Sequence, residues 1–471
     1  MNWYDHQAGA ILPPDKSIHG TFFAIYEKFV RPDQTGSIQC CEVPISITMR
    51  TRRPRSAPSP RDMKNPPMIE NRFGGTSLPT VGVELELQLV DASTLALRQG
   101  VDAILAELPA ELSSSVRREF HACCVEIATD VHASVDDIRR DLKAKLLWVA
   151  GAAAQRGLLL AWGGTHPFSH WKDQEVTSEP RYRALADSYQ DTLRRQLTFG
   201  LHVHVGVESG DAAIRTCDRI RDHLPVLLAL SANSPFWCGR ATGLQSHRIE
   251  VAGSLPAGGI PPRLGDWDSY GKLVDELTAC ELIESPKDLW WDVRPSPSHG
   301  TVEVRICDMP LGLEAVLGLT ALIECLVHFL AREKDREIGS DVGSDATGAD
   351  QARLLILQQN RWLAARYGLD AMLIDRFTRR KAPARVLARE LTDCLIHIGR
   401  ELGCAEYLQN LRTRTRRSND AVTQIATYAR TNNLEDVVRL MTRADSSGHW
   451  QPSLSPLLNQ ESLVGPLEAS Y

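Results

Sequence analysis

Between Val81 and Asp91, aliphatic side chains occupy every second position: Val81, Val83, Leu85, Leu87 and Leu89. The positions between them hold Gly82, Glu84, Glu86 and Gln88. A period of two belongs to a β-strand, whose successive side chains point to opposite faces. One face of this segment therefore suits a core, and the other presents two carboxylates side by side. The pattern returns at 200–207, where Leu201, Val203, Val205 and Val207 oppose His202, His204 and Gly206. It returns again at 301–308, where Val302, Val304 and Ile306 oppose Glu303 and Arg305. A fourth segment, 120–130, sets Glu126 among Cys124, Val125 and Ile127.

A strand with charge on one side is ordinarily a sheet with one wet face, and each segment taken alone has that reading. Taken together they differ, because water-facing strand positions favour Thr, Lys and mixed charge, whereas these hold Glu, His and one Arg. Two carboxylates about 4 Å apart repel by roughly 4 kcal/mol at an effective dielectric of 20. If the faces share one sheet, a positive group must sit among them, and a divalent metal is the economical one. Carboxylates with an occasional imidazole suit Mg²⁺ or Mn²⁺, while zinc sites favour Cys and His. Glu303 with Arg305 reads as a metal ligand beside an anion clamp.

Other segments carry less. Trp162-Gly-Gly-Thr-His-Pro167 is a loop in which His166 either touches substrate or braces a tight turn. Arg240 and Arg248 offer guanidinium groups to a carboxylate or phosphate. Trp290 and Trp291 read as packing. Phosphate-loop and dinucleotide signatures are absent; the nearest approach, 265–272, has one residue too many before Gly271-Lys272. A nucleotide would have to bind through metal and arginines on a sheet.

The length, 471 residues, allows two or three domains at roughly 150 residues each, or one large catalytic domain with additions. A net charge of −6 argues against a general binder of nucleic acid or anionic membrane. Eleven scattered cysteines with no C-x-x-C spacing predict reduced thiols and a cytoplasmic protein. The first residues, 1–14, lack the basic end and apolar run of a signal peptide. The apolar stretch 316–331 is interrupted by Glu324 and His328 and is short for a membrane span. Prolines at 54, 58, 60, 66 and 67 among Arg50, Arg52, Arg53, Arg55, Arg61 and Lys64 predict a disordered basic linker. It is either an interaction arm or a dispensable extension, with Met63 and Met68 as alternative starts. Helices are expected at 135–156, where Ser134 and Asp137 form a capping signature, and at 181–195 and 212–233. From Glu314 the pattern is almost wholly helical: 314–334, 350–367, 384–403, 418–431 and 433–443, with a flexible loop at 339–350. The expected organisation is an extension at 1–77, one catalytic domain at 78–445 (sheet core 78–310, helical portion 311–445) and a tail at 446–471.

Six strings, taken in order, resemble the carboxylate–amine ligases of the glutamate–cysteine ligase 2 type, the YbdK-like family. They are Val81-Gly-Val-Glu-Leu-Glu-Leu-Gln-Leu-Val-Asp91, Gly164-Thr-His-Pro-Phe168, His202-Val-His-Val-Gly206, Ser234-Pro-Phe-Trp237, Asp288-Leu-Trp-Trp-Asp-Val-Arg-Pro-Ser-Pro297 and Thr301-Val-Glu-Val-Arg305. Leu85, where the family often has an acidic or aromatic residue, and the basic extension depart from its pattern. The resemblance implies an α+β, glutamine synthetase-like fold with a curved, mainly antiparallel sheet under ATP and metals. It implies Mg²⁺ (or Mn²⁺) ligands at Glu84, Glu86, Glu126, His202 and Glu303, with Glu119 a further acid whose parity differs from that of Glu126. Arg305 would face the transferring phosphoryl group or substrate; His204 would contact substrate, position water or only satisfy its place in the strand, and Arg240 and Arg248 are the candidates for the nucleotide. The implied reaction is amide synthesis through an acyl phosphate, with L-glutamate and L-cysteine the suggested pair. No nucleic acid or membrane partner is expected, and a homodimer is allowed. The rivals are a metal-dependent amide hydrolase, since His-x-His also opens such sites, and a non-catalytic relative that binds metal or nucleotide.

Overall fold

The alternating segment is a strand, β1 (Val81–Asp91), and its five aliphatic side chains are at most 1% exposed. The computed structural model describes residues 73–332, 346–376 and 378–443, all within one unit, Asn65–Tyr471. The expectations for the linker, the 339–350 loop and the tail fall largely or wholly outside these residues. Phe73–Leu78 are described, and they are tied down. Gly74 N–H donates to Pro297 O, Thr76 N–H to Val207 O, and the Phe73 ring meets Trp267 edge-on at 5.5 Å. The folded chain therefore begins at least five residues before the expected start at Leu78.

Further strands are β2 (Val116–Arg118), β3 (Cys124–Ala128), β4 (Leu158–Ala161) and β5 (Gly200–Gly206). They are followed by a small hairpin, β6 (Phe236–Trp237) with β7 (Arg240–Ala241), and then by β8 (Val293–Ser296) and β9 (Thr301–Asp308). A second hairpin joins β10 (Met372–Ile374) to β11 (Lys381–Pro383). The main sheet has seven strands in the order β2-β3-β1-β5-β9-β8, with β4 also on β1. Every pairing in it is antiparallel. Gln88 pairs with Cys124 on one side and Ala161 on the other, so β4 continues along the edge that β5 leaves at Leu85.

The apolar face of the sheet joins one large core with the helices Val135–Ala154 and Leu313–Arg332. Each fully buried leucine of β1 contributes about 1.5–3 kcal/mol relative to leaving it exposed. A charge at Leu87, at the centre of this layer, would break the packing. The helix Leu313–Arg332 is long and apolar enough to cross a membrane, but 83% of its most apolar window is buried inside the protein. It is a core helix.

Two expected helices are each split. The segment 181–195 is Pro180–Tyr189 followed by Asp191–Arg194, because Gln190 takes a positive φ of 49° that ends the first helix. The segment 212–233 is Gly210–Ile220 followed by Leu224–Ser231. Pro225 cannot donate the amide hydrogen bond that a continuous helix needs, but it suits the first turn of a new one. At the start of Val135–Ala154 the Ser134 hydroxyl accepts from Asp137 N–H and donates to the Asp137 carboxylate. The cap is thus as expected in its first half only.

Candidate active site

The polar positions of adjacent strands lie in register. Across the sheet, Arg117 faces Glu126 and Glu126 faces Glu86. One row along, Glu84 faces His202. In the next row Gly82 faces His204, His204 faces Glu303, and Glu303 faces Arg294. All of these side chains except Gly82 line one cavity of about 1110 Å³. Between Leu201 and Val203 the register of β9 shifts by a bulge. A bulge re-aims the residues after it, and here it brings Asp308 opposite Gly200, on the same face as Glu303.

In one half of this floor every carboxylate has a cationic or imidazole partner. Glu303, 2% exposed, receives Arg294 Nε at 2.6 Å and Nη2 at 3.2 Å, and also Arg305 Nη1. Burial pushes its carboxyl up, but the two guanidinium groups outweigh this and hold it well below the usual range. Glu84 lies 3.2 Å from His202 Nδ1 and 3.6 Å from His204 Nε2. Burial again opposes ionisation there, and the two imidazoles win, so its carboxyl is also held low. His204 Nδ1 is fixed by Thr301 Oγ1 at 2.9 Å. His202 is pushed down to about 4, first by burial and then by Arg305.

The other half lacks compensation. Burial and then Glu119 push Glu86 up to about 7, although Gly200 N–H donates to it. Glu126 is raised well above its ordinary value by burial and by Glu84, Glu119 and Glu86; its nearest cation, Arg117, is 3.7 Å away. Glu119 is raised chiefly by burial, with the Tyr182 hydroxyl donating to it at 2.9 Å. The expected strand at 120–130 is shorter and is preceded by β2, so Glu119 does not share a strand with Glu126. It follows β2 two residues after Arg117, whose cross-strand partner is Glu126. The mismatch in parity disappears for that reason.

Glu84, His202 and Glu303 offer donor atoms that all lie within 4.8 Å of one another. Glu86 and Glu126 stand outside that group. Carboxylate and imidazole donors beside carboxyls pushed up by burial and by one another are the donor set of a hard divalent cation. The residues fit Mg²⁺ or Mn²⁺.

The arginines read from the sequence divide. Arg305 lies in the floor. Arg248 lines the cavity, but its guanidinium donates to Ile306 O and Arg305 O and lies 3.9 Å from Asp308. A Cβ at Gly200 would fall 2.2 Å from Arg248 Nη2, so only glycine leaves room for this brace. Arg240 is exposed on the β6–β7 hairpin and does not line the cavity. His166 is fully buried; its ring nitrogens are occupied by Leu95 O and by the amides of Phe168 and Ser169, so it braces a turn. Trp290 and Trp291 both line the cavity, and Trp291 is also part of the main core. Sequence reasoning passed over Arg294, Asp308 and Tyr182. Arg294 had a signal, as the polar residue between Val293 and the prolines, one strand from Glu303. Asp308 had none, since a bulge leaves no trace in alternation. It is fully buried and receives Asn233 N–H and the hydroxyls of Ser234 and Ser246.

The antiparallel sheet with its acidic floor has the architecture of glutamate–cysteine ligases. A glutamate–cysteine ligase of Francisella tularensis, solved in complex with AMP, superposes with a TM-score of 0.57 at 12% identity, over 79% of this chain and 89% of that one. A bifunctional glutathione synthetase of Pasteurella multocida gives 0.54 at 14% identity, over 78% and 52%. The model of glutamate–cysteine ligase family 2 matches residues 80–440, and the chain belongs to that family of ATP-dependent carboxylate–amine ligases. Among its relatives, a Gloeobacter violaceus protein described as a "Putative glutamate--cysteine ligase 2" is 37% identical over 78% of this chain and 96% of its own. One from Solibacter usitatus with the same description is 36% identical over 80% and 96%.

Proposed function

We propose that the chain activates an amino-acid carboxylate, in the first instance the γ-carboxylate of L-glutamate, with ATP, and joins it to an amine, L-cysteine being the one the relatives' names suggest. The observation that carries this reading is the acidic floor flanked by two partly buried arginines, Arg294 and Arg305. Glu84, His202 and Glu303, with Glu86 and Glu126 beside them, would hold divalent cations. Bound there, such cations would supply positive charge that offsets the charge developing on the transferring phosphoryl group.

The remaining work falls to the protein's own groups. A carboxylate oxygen of the substrate attacks the γ-phosphorus, the bond to ADP breaks, and an acyl phosphate forms. Arg305 and Arg294 supply fixed positive charge to the phosphoryl oxygens. The amine nitrogen then attacks the acyl carbon and phosphate departs. Glu119, its carboxyl raised by burial, is the group we assign to receive the amine's proton. His204, held by Thr301, orients the substrate. No protein nucleophile enters.

The test is ADP release by the full chain over paired carboxylates and amines, with mass detection of the amide. Release that requires both substrates supports the reading. Amide cleavage without ATP would replace it with a hydrolase, and binding without turnover with a non-catalytic relative.

A further inference from the structure

The cavity over the floor has two unlike walls. One is basic and polar: Lys287, Arg294, Ser296, Ser298 and His299 line it. The other is apolar: Phe120, Tyr182, Leu185, Leu193, Leu255 and Trp290 line it. The apolar wall belongs to a small hydrophobic cluster separate from the main core, built on the helices Pro180–Tyr189 and Asp191–Arg194. Its rings pack edge-on, Phe120 against Tyr182 at 5.9 Å and Tyr189 against Trp290 at 5.4 Å. A soluble enzyme gains little by lining a charged reaction chamber with such residues unless a ligand covers them.

We propose that this wall is the side-chain subsite of the amine substrate, and that the amine carries an apolar side chain larger than that of cysteine. The inference rests on the ligase reading above and narrows its substrate. The apolar wall meets the acidic floor at Glu119: Tyr182 donates to that carboxylate at 2.9 Å, and Phe120 is the next residue in the chain. A group resting on the wall is therefore within a side chain's reach of the reacting centre. The nucleotide's phosphates need the basic wall and lead its base away from the floor. The carboxylate substrate, glutamate, is charged at both ends and would meet its cations at the arginines of the lining, Arg117, Arg118, Arg294 and Arg305 among them, rather than on the six apolar residues. An ammonium group beside Glu119, with an apolar chain lying along Phe120, Tyr182 and Leu185, satisfies both walls. The thiol of cysteine reaches only the near edge.

The experiment uses the full chain with ATP, Mg²⁺ and L-glutamate, and measures kcat/KM for ADP release along alanine, 2-aminobutyrate, norvaline and norleucine, with cysteine as reference. The expected result is a rise of about fourfold per added methylene, the equivalent of about 0.8 kcal/mol of transfer free energy, with norleucine above cysteine. Leu185→Asn, at a partly exposed helix position, flattens the series and leaves KM for ATP within twofold. A flat series, or cysteine as the best amine, overturns the subsite while leaving the ligase reading intact. An unflattened series with a raised KM for ATP in Leu185→Asn assigns the wall to the nucleotide base and overturns it too. No amine-dependent ADP release with any carboxylate overturns both.

Discussion

Glu303 and Glu126 project from the same face of one sheet and are both largely buried, yet their surroundings drive them to opposite states. Glu303 sits between Arg294 and Arg305 and is held ionised. Glu126 sits among Glu84, Glu86 and Glu119 with one cation at 3.7 Å, and burial with these neighbours pushes its carboxyl well above the usual range. The half of the floor around Glu84 and Glu303 is thus complete in the protein alone, while the half around Glu86, Glu119 and Glu126 is incomplete without an added positive charge. A buried ion pair that is already satisfied positions groups; an uncompensated one stores affinity for a cation.

The largest expected effect breaks the satisfied half. Glu303→Gln should lower turnover by about 10²–10³-fold, the scale of losing one preorganised electrostatic group. It should also destabilise the metal-free protein by about 3–5 kcal/mol, because two guanidinium groups lose their buried partner. Glu126→Gln should lower turnover too, yet leave urea stability in chelator unchanged or raised. Equal losses of stability in the two variants would erase the contrast.

The pH dependence sharpens the same contrast. Glu86 titrates near 7 in the folded protein, above its ordinary 4.5, so the folded state binds more protons between those values. In chelator its contribution is therefore most favourable below about pH 4.5 and is lost as pH rises through 7, a change of order 3 kcal/mol from that shift. Glu84 and Glu303, held low, act in the reverse sense: their contribution is present above about pH 4.5 and fades as pH falls below it. Thermal unfolding from pH 5 to 8 should show the alkaline decline without metal and a flatter profile with Mg²⁺.

A smaller effect is expected at the junction of the two walls. Tyr182→Phe removes the hydrogen bond to Glu119 and should cost about 1 kcal/mol in urea unfolding. The smallest effects lie away from the floor. Arg240→Ala should leave KM for ATP within about twofold, since that side chain points to solvent on its hairpin. A chain beginning at Met68 should keep full activity, as all the described site residues follow it; coupled ADP assays check both.

Much of this contrast was legible in the sequence. Period-two alternation set out β1, β5 and β9 and the face of Glu84, Glu86, His202, His204 and Glu303 on them, because strand parity is local. It could not give the register that sets Glu84 beside His202 or Arg294 beside Glu303, which depends on non-local pairing. It missed β2, three residues long, and so misjudged Glu119. It could not anticipate the bulge that turns Asp308 into the site face. Nor did it separate arginines that brace from those that face the cavity: Arg248 and Arg305 look alike in the chain, and only packing around Gly200 and β9 commits Arg248 to backbone carbonyls. Also missed were the helices Trp267–Ala279 and Ala405–Arg414 and the helix breaks at Gln190 and before Pro225, and of the breaks only the second had a signal.

The most direct test of the account is a calorimetric titration of the full chain with Mn²⁺ at pH 6.5, run in two buffers of different ionisation enthalpy. The uncompensated half predicts binding that releases protons and weakens at least about tenfold in Glu126→Gln, or about 1.4 kcal/mol. Binding without proton release, and with equal affinity in that variant, would show that these carboxylates are not the cation site.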